Sequence, residues 1–518
     1  MFISPRADCQ VHATLETTDG PVTATTAPTA GRTAWTPLNL PSGNDGFVHA
    51  RGEQFESTDP AIGEVVAVLA SSAPEDVDSA VAAALQATAT SDWGSNGERR
   101  ARALYGFAQA LRANVADLAE LLTREQGKTI HEAQIEILNS AKMTEYYAGL
   151  ARLVYGRSTV LGENVTGVVL REPVGVVAVI TPWNWPLVLL VRSLIPALAA
   201  GNATVVKPAS LTPAITVEAL ALLAAQPDLP EGILTCVLGS GGVVGEALVG
   251  HEGVDMIAFT GETETGIRVM KRAAEGLRKV ALELGGKAPN LVFADAKLDK
   301  ALAGAENAIF TTCGQICTAG SRLLVEDAIY DEFVERLAAN TNGLRVGDGL
   351  DPSSQLGPLA SRSQRDKVLE YIQQGKNEGT LVAGGAILEG DGYDAGHFVS
   401  PAIFADLPVD SRLIQDEIFG PVLTVQRFAD EAEAVALAND TEYGLAAGLW
   451  TQNLDRAWRV GRAIRAGTIW INTYHHFYDE TEVGGFKRSG IGRQQGLEGL
   501  HEFTETKHLN FDGSDTLW

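Results

Sequence analysis

Cysteine is scarce in this sequence, with four residues, Cys9, Cys236, Cys313 and Cys317, scattered over 518 positions. Thiols so few and so far apart exclude a disulfide framework and indicate a reducing compartment, so we expect a cytoplasmic protein. An uninterrupted apolar run of about 18 residues is also absent, and the sequence predicts no membrane-spanning helix. Residues 1–20 lack the basic and then apolar pattern of a secretory signal, so no signal is expected there.

Positive charge is also in short supply. The chain has 40 Lys and Arg against 65 Asp and Glu, a formal net charge of −25. Such a chain repels nucleic acid and anionic membranes, and we expect neither as a partner. Its 45% hydrophobic and 20% charged residues are ordinary for a globular protein. The length predicts two or three domains.

The pattern of helix-like and strand-like segments divides the chain into a tail and two α/β units. Residues 1–40 are rich in Thr, Ala, Pro and Gly and are predicted to be a mobile N-terminal tail. Strands and helices alternate from Phe47 onward, which predicts a parallel sheet, and the alternation restarts after Gly286. The segment from Glu98 to Lys128 has Leu and Ala at helical spacing and is predicted to be one long helix.

Three polar residues are candidates for catalysis, although each is weak evidence alone. Cys317 lies among small and polar residues in GQICTAGSR, but a lone cysteine is more often structural. Glu283 precedes a Gly-Gly turn in ALELGGKAPN, where a carboxylate can act as a base or be an exposed charge. Asn184 in ITPWNWPL can donate hydrogen bonds from a rigid turn or simply form the turn.

Two glycine-rich loops could offer backbone N–H groups to a phosphate. LGSGGVVGEAL departs by one position from the dinucleotide fingerprint and lacks the acidic residue that should follow it. AFTGETETG, with Gly261 and Gly266, follows a strand and opens a helix. Cys313 and Cys317 lie four apart with no further ligand nearby, so no metal site is predicted.

Seven motifs occur along the chain in the order ITPWNWPL, KPAS, FTGETETG, LELGGK, GQICTAGSR, EIFGPV and GGFKRSGIGR. Together they make the chain resemble the NAD(P)-dependent aldehyde dehydrogenase superfamily from Phe47 to Phe511. Glu283 and Cys317 lie 34 positions apart, as this family places its base and its nucleophile. The motifs are weak one by one but specific in this combination.

The resemblance implies a mechanism that uses a thiol. Cys317 is the expected nucleophile, attacking the aldehyde carbon as a thiolate. The Asn184 amide and the backbone N–H of Cys317 are expected to hold the oxyanion of the thiohemiacetal. After hydride transfer to the nicotinamide, Glu283 is expected to activate the water that hydrolyses the thioester.

The resemblance also implies a set of cofactor-binding residues. Lys207 is expected to bind the adenosine ribose and Glu417 the nicotinamide ribose, with Phe419 packed against the nicotinamide. The LGSGGVVGEAL segment then becomes a structural loop near the adenine. The full expected set is Thr181, Trp183, Lys207, Ser210, Thr260, Gly261, Gly266, Leu284, Glu417 and Phe419.

Two residues depart from the family's pattern at the cofactor. Ser210 stands three positions after Lys207, where strongly NAD-selective relatives usually have a Glu that repels a 2′-phosphate. Because Ser carries no charge, NADP should be tolerated, and the expected cofactor is NAD or NADP. Glu262 stands where Ser is common beside the pyrophosphate, and we expect its side chain to point to solvent.

The expected substrate-binding residues are Trp185, Arg192, His475 and Phe477. The aromatic rings among them predict an aromatic or otherwise bulky aldehyde. A cationic aldehyde would also suit, since Asp479, Glu480 and Glu482 follow closely in the sequence. An Arg at the position of Arg192 resembles two branches of the family. One is the benzaldehyde type, and the other is the succinate-semialdehyde type, in which the Arg pairs with the carboxylate of the substrate. Thr311 stands where the semialdehyde type has a second Arg, which weakens that alternative without removing it.

The resemblance implies an α/β fold of three parts and a homodimer or homotetramer. A Rossmann-like cofactor domain is expected over residues 41–154 and 174–284, and a catalytic domain over residues 285–488. A small oligomerisation sheet is expected from residues 155–173 and 489–518. The rival functions are a thiol esterase that needs no cofactor and a non-catalytic member of the fold.

Overall fold

The computed structural model describes residues 35–40, 46–390 and 392–513. Helices make up much of both units. They are α1 (Pro74–Thr90), α2 (Gly97–Ala113), α3 (Val115–Gln126), α4 (Ile130–Leu150), α5 (Pro186–Ala200), α6 (Pro213–Ala224), α7 (Glu246–Gly250), α8 (Thr263–Ala274), α9 (Leu298–Phe310), α10 (Tyr330–Asn342), α11 (Arg362–Glu378), α12 (Arg412–Gln415), α13 (Glu431–Asn439), α14 (Leu454–Ala463) and α15 (Gly496–His501).

The strands form four sheets. They are β1 (Leu38–Asn39), β2 (Val48–His49), β3 (Gln54–Thr58), β4 (Val65–Ala70), β5 (Arg157–Gly162), β6 (Val165–Pro173), β7 (Val176–Ile180), β8 (Ala203–Lys207), β9 (Leu234–Val237), β10 (Met256–Thr260), β11 (Lys279–Glu283), β12 (Pro289–Val292), β13 (Arg322–Glu326), β14 (Thr380–Gly384), β15 (Ala402–Ala405), β16 (Val422–Phe428), β17 (Ala446–Trp450), β18 (Thr468–Ile471), β19 (Gly490–Ile491) and β20 (Thr504–Asp512).

The first large sheet has the strand order β19-β11-β10-β7-β8-β9-β2. Its strands are parallel except for β19, which pairs antiparallel with β11. The residues of β8 are all buried, as are those of β7 up to Val179, because helices cover both faces of a parallel sheet. Since the strands are parallel, β7, β8, β10 and β11 all end at one edge.

The second large sheet has the strand order β14-β15-β16-β13-β12-β17-β18. All its pairs are parallel except β14 with β15. It packs against its own hydrophobic clusters, separate from the cluster around the first sheet. The sequence alternation that restarts after Gly286 therefore corresponds to a second α/β unit.

A three-stranded antiparallel sheet of order β20-β6-β5 lies outside both units. β5 and β6 fall in residues 155–173 and β20 falls in residues 489–518, the two segments that were expected to form an oligomerisation sheet. One boundary needs correction, because residues 490–501 do not join it. β19 completes the first sheet, and Gln494 of the same stretch donates from Nε2 to Ser193 Oγ of α5 at 3.0 Å.

Two further predictions are wrong in part. The segment from Glu98 to Lys128 forms two helices rather than one, because the chain leaves helical geometry at Asn114, with φ −113° and ψ 21°. Residues 35–40 belong to the fold, since β1 pairs with β4 and Trp35 Nε1 donates to Val66 O at 2.9 Å. The rest of the predicted mobile tail lies outside the described residues.

Candidate active site

Cys317 is a free, half-buried thiol in a tightly anchored loop. After α9 the chain makes a short turn in which Thr312 and Cys313 have left-handed backbones, with φ of 49° and 53°. The Gln315 side chain fastens this loop, donating from Nε2 to Thr312 O at 3.1 Å and accepting at Oε1 from Ala360 N at 3.0 Å. The loop therefore holds Cys317 at a fixed place between the two large sheets.

Asn184 contacts this loop directly. It is buried at the turn between β7 and α5, and its Nδ2 donates to Gln315 O at 2.8 Å. Gln315 lies two positions before Cys317, so the structure brings together two of the three predicted catalytic residues. An amide nitrogen carries two hydrogens, which leaves a second N–H for another acceptor.

Glu283 reaches the same place at the end of β11. The turn that follows it approaches the Cys317 loop so closely that a Cβ on Gly286 would lie 2.3 Å from Cys317 O. Glu283 is 4% exposed, and burial raises its pKa to about 7 against the opposing effect of the Arg192 and Arg493 cations. A carboxylate with such a pKa can take up or release a proton near neutral pH.

Arg192 is a cation that influences the pKa values of both Glu283 and Cys317. Burial raises the pKa of the Cys317 thiol to about 12, and Arg192 opposes this rise while Glu417 and Glu283 add to it. The Arg192 side chain is buried on α5, and its Nε and Nη2 have no hydrogen-bond partner within the described part of the chain. The site therefore contains a buried guanidinium with free donors.

The predicted cofactor residues of the first unit lie along the edge where its parallel strands end. Thr181 follows β7, Lys207 ends β8 and Thr260 ends β10. The Thr181 hydroxyl is buried with no partner among the described residues, and burial lowers the pKa of Lys207 to about 8. Exposed Ser210 donates from Oγ to Gly239 O at 2.9 Å, which ties it to the LGSGGVVGEAL loop.

The second unit contributes Glu417 and Phe419 next to the residues at this edge. Glu417 Oε1 accepts from Gly286 N at 2.9 Å, and burial raises the pKa of Glu417 to about 7. Phe419 and Trp183 meet edge to face across the two units, with ring centroids 5.3 Å apart. Glu262 is exposed as expected, and its charge adds to the rise in the pKa of Glu417.

Gly261, Gly266 and Leu284 pack against the same edge of the first sheet. A Cβ on Gly266 would lie 2.3 Å from the Leu284 side chain, so α8 approaches the residue after β11 closely at this glycine. Gly261 N donates to Glu283 O at 3.0 Å, and Leu284 N donates to Ser489 O at 2.9 Å. Gly261 thus contacts the strand that carries Glu283, and Gly266 contacts the residue that follows it.

The predicted substrate residues have different environments. Trp185 is half-buried, with the Lys128 ammonium 3.8 Å from its ring centroid. Phe477 is exposed, and its ring stacks on that of His475 with the ring centroids 6.5 Å apart. His475 itself is 5% exposed, with burial lowering its pKa to about 4, and its ring lies near the backbone of Thr318.

Sequence reasoning missed three buried charged residues behind the site, Lys128, Glu132 and Glu136. Glu132 Oε1 accepts from Thr312 N at 2.6 Å, and Glu136 Oε1 accepts from Leu187 N at 2.8 Å. The signal that could have found Glu132 is the capping-box spacing of Thr129 and Glu132 at the start of α4.

Comparisons with known proteins settle the family. The model of the aldehyde dehydrogenase family matches residues 47–509. The chain belongs to this family. It is 41% identical over 468 residues to the betaine aldehyde dehydrogenase of Bacillus subtilis. The aligned region covers 89% of this chain and 95% of that protein. A putative aldehyde dehydrogenase of the same organism, DhaS, is 40% identical and covers 89% of this chain and 92% of that protein.

Solved structures confirm the fold class. The betaine aldehyde dehydrogenase of Staphylococcus aureus, in complex with NAD+, matches with a TM-score of 0.89 and 34% identity, covering 92% of this chain and 96% of that one. An aldehyde dehydrogenase from Bacillus cereus matches with a TM-score of 0.87 and 37% identity. This match covers 90% of this chain and 96% of that one. This protein is therefore an aldehyde dehydrogenase with the predicted α/β fold. No helix in the described ranges is long and apolar enough to cross a membrane.

Proposed function

We propose that this enzyme oxidises an aromatic or otherwise bulky aldehyde to the carboxylic acid with NAD or NADP, using Cys317 as the nucleophile. The observation that carries the proposal is the meeting of three predicted residues at one place. Asn184 binds the Cys317 loop at 2.8 Å, and the turn after Glu283 touches the Cys317 carbonyl. These groups come from sequence positions 133 residues apart, 184 to 317, and belong to both units.

The chemistry of the chain's own residues follows from this arrangement. Cys317 is a thiol at neutral pH, so its proton must leave as sulfur attacks the aldehyde carbon, and Glu283 can accept it. The second N–H of Asn184 and the backbone N–H of Cys317 would then donate to the new oxyanion. A bound nicotinamide dinucleotide supplies the hydride acceptor. Glu283 would then release the thiol proton to solvent, deprotonate the water that cleaves the Cys317 thioester, and return this second proton to the departing sulfur, which frees the acid and the thiol.

The residues along the cleft fit a dinucleotide. Lys207 ends β8 as a buried cation suited to ribose hydroxyls, and Thr181 has an unpartnered hydroxyl at the same edge. Glu417, which already accepts from Gly286 N, can also accept a hydrogen bond from a second ribose. The S. aureus relative was solved with NAD+. We infer that NADP is also accepted here, because uncharged Ser210 offers no repulsion to a 2′-phosphate.

The choice of aldehyde rests on the charge and the aromatic rings of the site. Trp185 and Phe477 offer ring surface to an apolar substrate. Two matched relatives are named for betaine aldehyde, which carries a quaternary ammonium. Buried Arg192 would repel such a cation at short range. We therefore place neutral aromatic aldehydes ahead of betaine aldehyde.

A second candidate is an aldehyde that carries a carboxylate, such as succinate semialdehyde. The free Nε and Nη2 of Arg192 favour it, because a buried guanidinium without partners is suited to binding a carboxylate in bidentate fashion. Under this alternative the aromatic rings would be secondary to the ion pair.

The test is the formation of reduced nicotinamide from benzaldehyde, salicylaldehyde, succinate semialdehyde, betaine aldehyde and hexanal, each with NAD+ and NADP+. The proposal expects the highest kcat/KM with the aromatic aldehydes. Selective turnover of succinate semialdehyde that is lost in Arg192→Met would support the second candidate. No turnover of any aldehyde, together with no rise in Tm on adding either cofactor, would favour the esterase or non-catalytic alternatives.

A further inference from the structure

Two buried carboxylates on α4 anchor the two halves of the candidate active site from behind. Glu132 and Glu136 are one helical turn apart, and both are buried. Glu132 Oε1 accepts from the Thr312 backbone N–H at 2.6 Å and the Thr312 hydroxyl at 3.2 Å, in the Cys317 loop. Glu136 Oε1 accepts from Leu187 N at 2.8 Å and Val188 N at 3.1 Å, just after Asn184.

Each carboxylate is itself fixed by its second oxygen. Glu132 Oε2 accepts from the backbone N–H and the hydroxyl of Thr129, both at 2.9 Å. Glu136 Oε2 accepts from Lys128 Nζ at 2.5 Å, and neither side chain of this pair is exposed. The two anchoring oxygens therefore have little freedom to move relative to α4.

The turn that Glu132 holds has an unfavourable backbone. Thr312 and Cys313 have φ of 49° and 53°, a region that a β-branched residue such as Thr rarely adopts. Such strain persists only where surrounding contacts over-determine it, and it is concentrated at functional sites. The hydrogen bond from Thr312 N is a direct restraint on this conformation. The turn leads straight to Gln315, whose carbonyl meets Asn184, and then to Cys317.

We propose that Glu132 is a positioning residue for Cys317, because it holds the left-handed turn at Thr312 and Cys313. This turn places the sulfur toward the aldehyde carbon while the Asn184 amide lies toward the oxygen of the same substrate. Glu136 fixes the Asn184 side of the same arrangement. One turn of α4 thus sets the spacing between nucleophile and oxyanion donor. The inference rests on the proposed role of Cys317 and adds how that residue is placed.

The test is a double-mutant cycle between Glu132→Ala and Thr312→Gly. Glycine adopts a left-handed backbone without strain, so the turn should then need less restraint from Glu132. We expect Glu132→Ala to lower kcat at least 30-fold per folded site while changing the Kd for NAD+ less than threefold. In the Thr312→Gly background the same substitution should cost at least tenfold less in kcat.

A matched control separates positioning from general destabilisation. Glu125 on α3 is also a buried carboxylate that accepts from backbone N–H groups, at Ala214 and Ile215, but these belong to α6. Glu125→Ala should lower Tm without lowering kcat per folded site. If Glu132→Ala does not fold, Glu132→Gln replaces it in the cycle, with the rate of Cys317 alkylation by iodoacetamide as a second readout.

Three results would overturn the inference. They are equal losses from the Glu132 substitution in both Thr312 backgrounds, an unchanged kcat per folded site, or an equal loss of kcat from Glu125→Ala. Failure of the proposed function gives a different result. If Cys317→Ala kept the turnover of wild type, the reaction would not depend on this sulfur.

Discussion

Glu283 and Cys317 lie where burial opposes their charged forms. The pKa of Glu283 is raised to about 7 and that of Cys317 to about 12, each against the opposing charge of Arg192. Their ionisation states therefore depend on how β11, α5 and the Cys317 loop pack around them. Sequence motifs predicted which residues meet through the resemblance to the family, and Asn184 and Glu283 lie just after and at the ends of parallel strands, respectively. The motifs could not predict Arg192 as the shared cation, since that depends on how α5 packs.

The raised pKa of Glu283 predicts the pH dependence of the enzyme. Only the carboxylate form can accept a proton, so kcat should rise with pH through about 7 and then level off. Glu283→Gln should lower kcat at least 100-fold and abolish this limb in a profile from pH 5.5 to 9. A rise near pH 7 that survives in Glu283→Gln would assign it to another group.

The same shift predicts a pH dependence of stability. A carboxyl group whose folded pKa is raised stabilises the fold below its unfolded value near 4.5, and this contribution is lost as pH rises through about 7. Relative to Glu283→Gln, wild type should lose about 3 kcal/mol of unfolding free energy between pH 4.5 and pH 8. Urea unfolding of both proteins at the two pH values measures it, and equal losses would contradict the burial of Glu283.

Ser210 gives a prediction about the cofactor. Ser210→Glu would place a negative charge next to a 2′-phosphate, so the ratio of kcat/KM for NADP+ over NAD+ should fall at least tenfold. Ser210→Gln, of similar size but uncharged, is the matched control and should change the ratio much less. Equal effects of the two substitutions would show that size rather than charge discriminates the cofactors.

At the scale of elements, sequence patterns predicted helices and strands better than their ends or their partners. The single helix predicted from Glu98 to Lys128 breaks at Asn114, because the Leu and Ala spacing continues on both sides of a residue that leaves helical geometry. The link from Glu132 to Thr312 spans 180 positions. Local patterns carry no information on such a contact, and so α4 could not be predicted as part of the site.

The buried pair of Lys128 and Glu136 gives a prediction at this scale. Both side chains are fully buried, 2.5 Å apart, and Glu136 also caps the first turn of α5. Removing one partner leaves an uncompensated buried charge, so Lys128→Met should destabilise the fold by about 3–5 kcal/mol. Chemical denaturation measures the loss.

The double variant Lys128→Met with Glu136→Gln tests the cause. It removes both charges and keeps an acceptor oxygen for α5, so it should recover part of the stability lost in Lys128→Met. If the double variant is less stable than Lys128→Met by the full cost of a second independent substitution, the pair does not act as a compensating unit.

At the scale of the whole molecule, the antiparallel sheet of β5, β6 and β20 stands apart from both units. Its apolar residues Val160, Leu161, Leu509 and Phe511 are exposed in the single chain. Exposed apolar side chains grouped on one small sheet are typical of an interaction surface. The resemblance to the family predicts an oligomerisation sheet here, and a homodimer or homotetramer formed through it remains our prediction.

Charges on this sheet should dissociate the assembly. Val160→Asp with Phe511→Asp is expected to lower the molar mass measured by light scattering toward that of a single chain of 54.8 kDa. Val409→Asp is the control, because Val409 is exposed but lies in the second unit, away from this sheet. A mass unchanged by the double substitution would place the interface elsewhere.

The central claim is that Cys317 carries the acyl group during turnover. The most direct test is a single turnover of Glu283→Gln with benzaldehyde and NAD+, followed by mass spectrometry of the intact chain and of its peptides. We predict one NADH per site, formed more slowly than in wild type because water must take the Cys317 proton, and a benzoyl group that stays on the peptide containing Cys317. The acyl group stays because the base that would activate hydrolytic water is absent. NADH formation with no acyl group on Cys317, or with the group on another residue, would contradict the account.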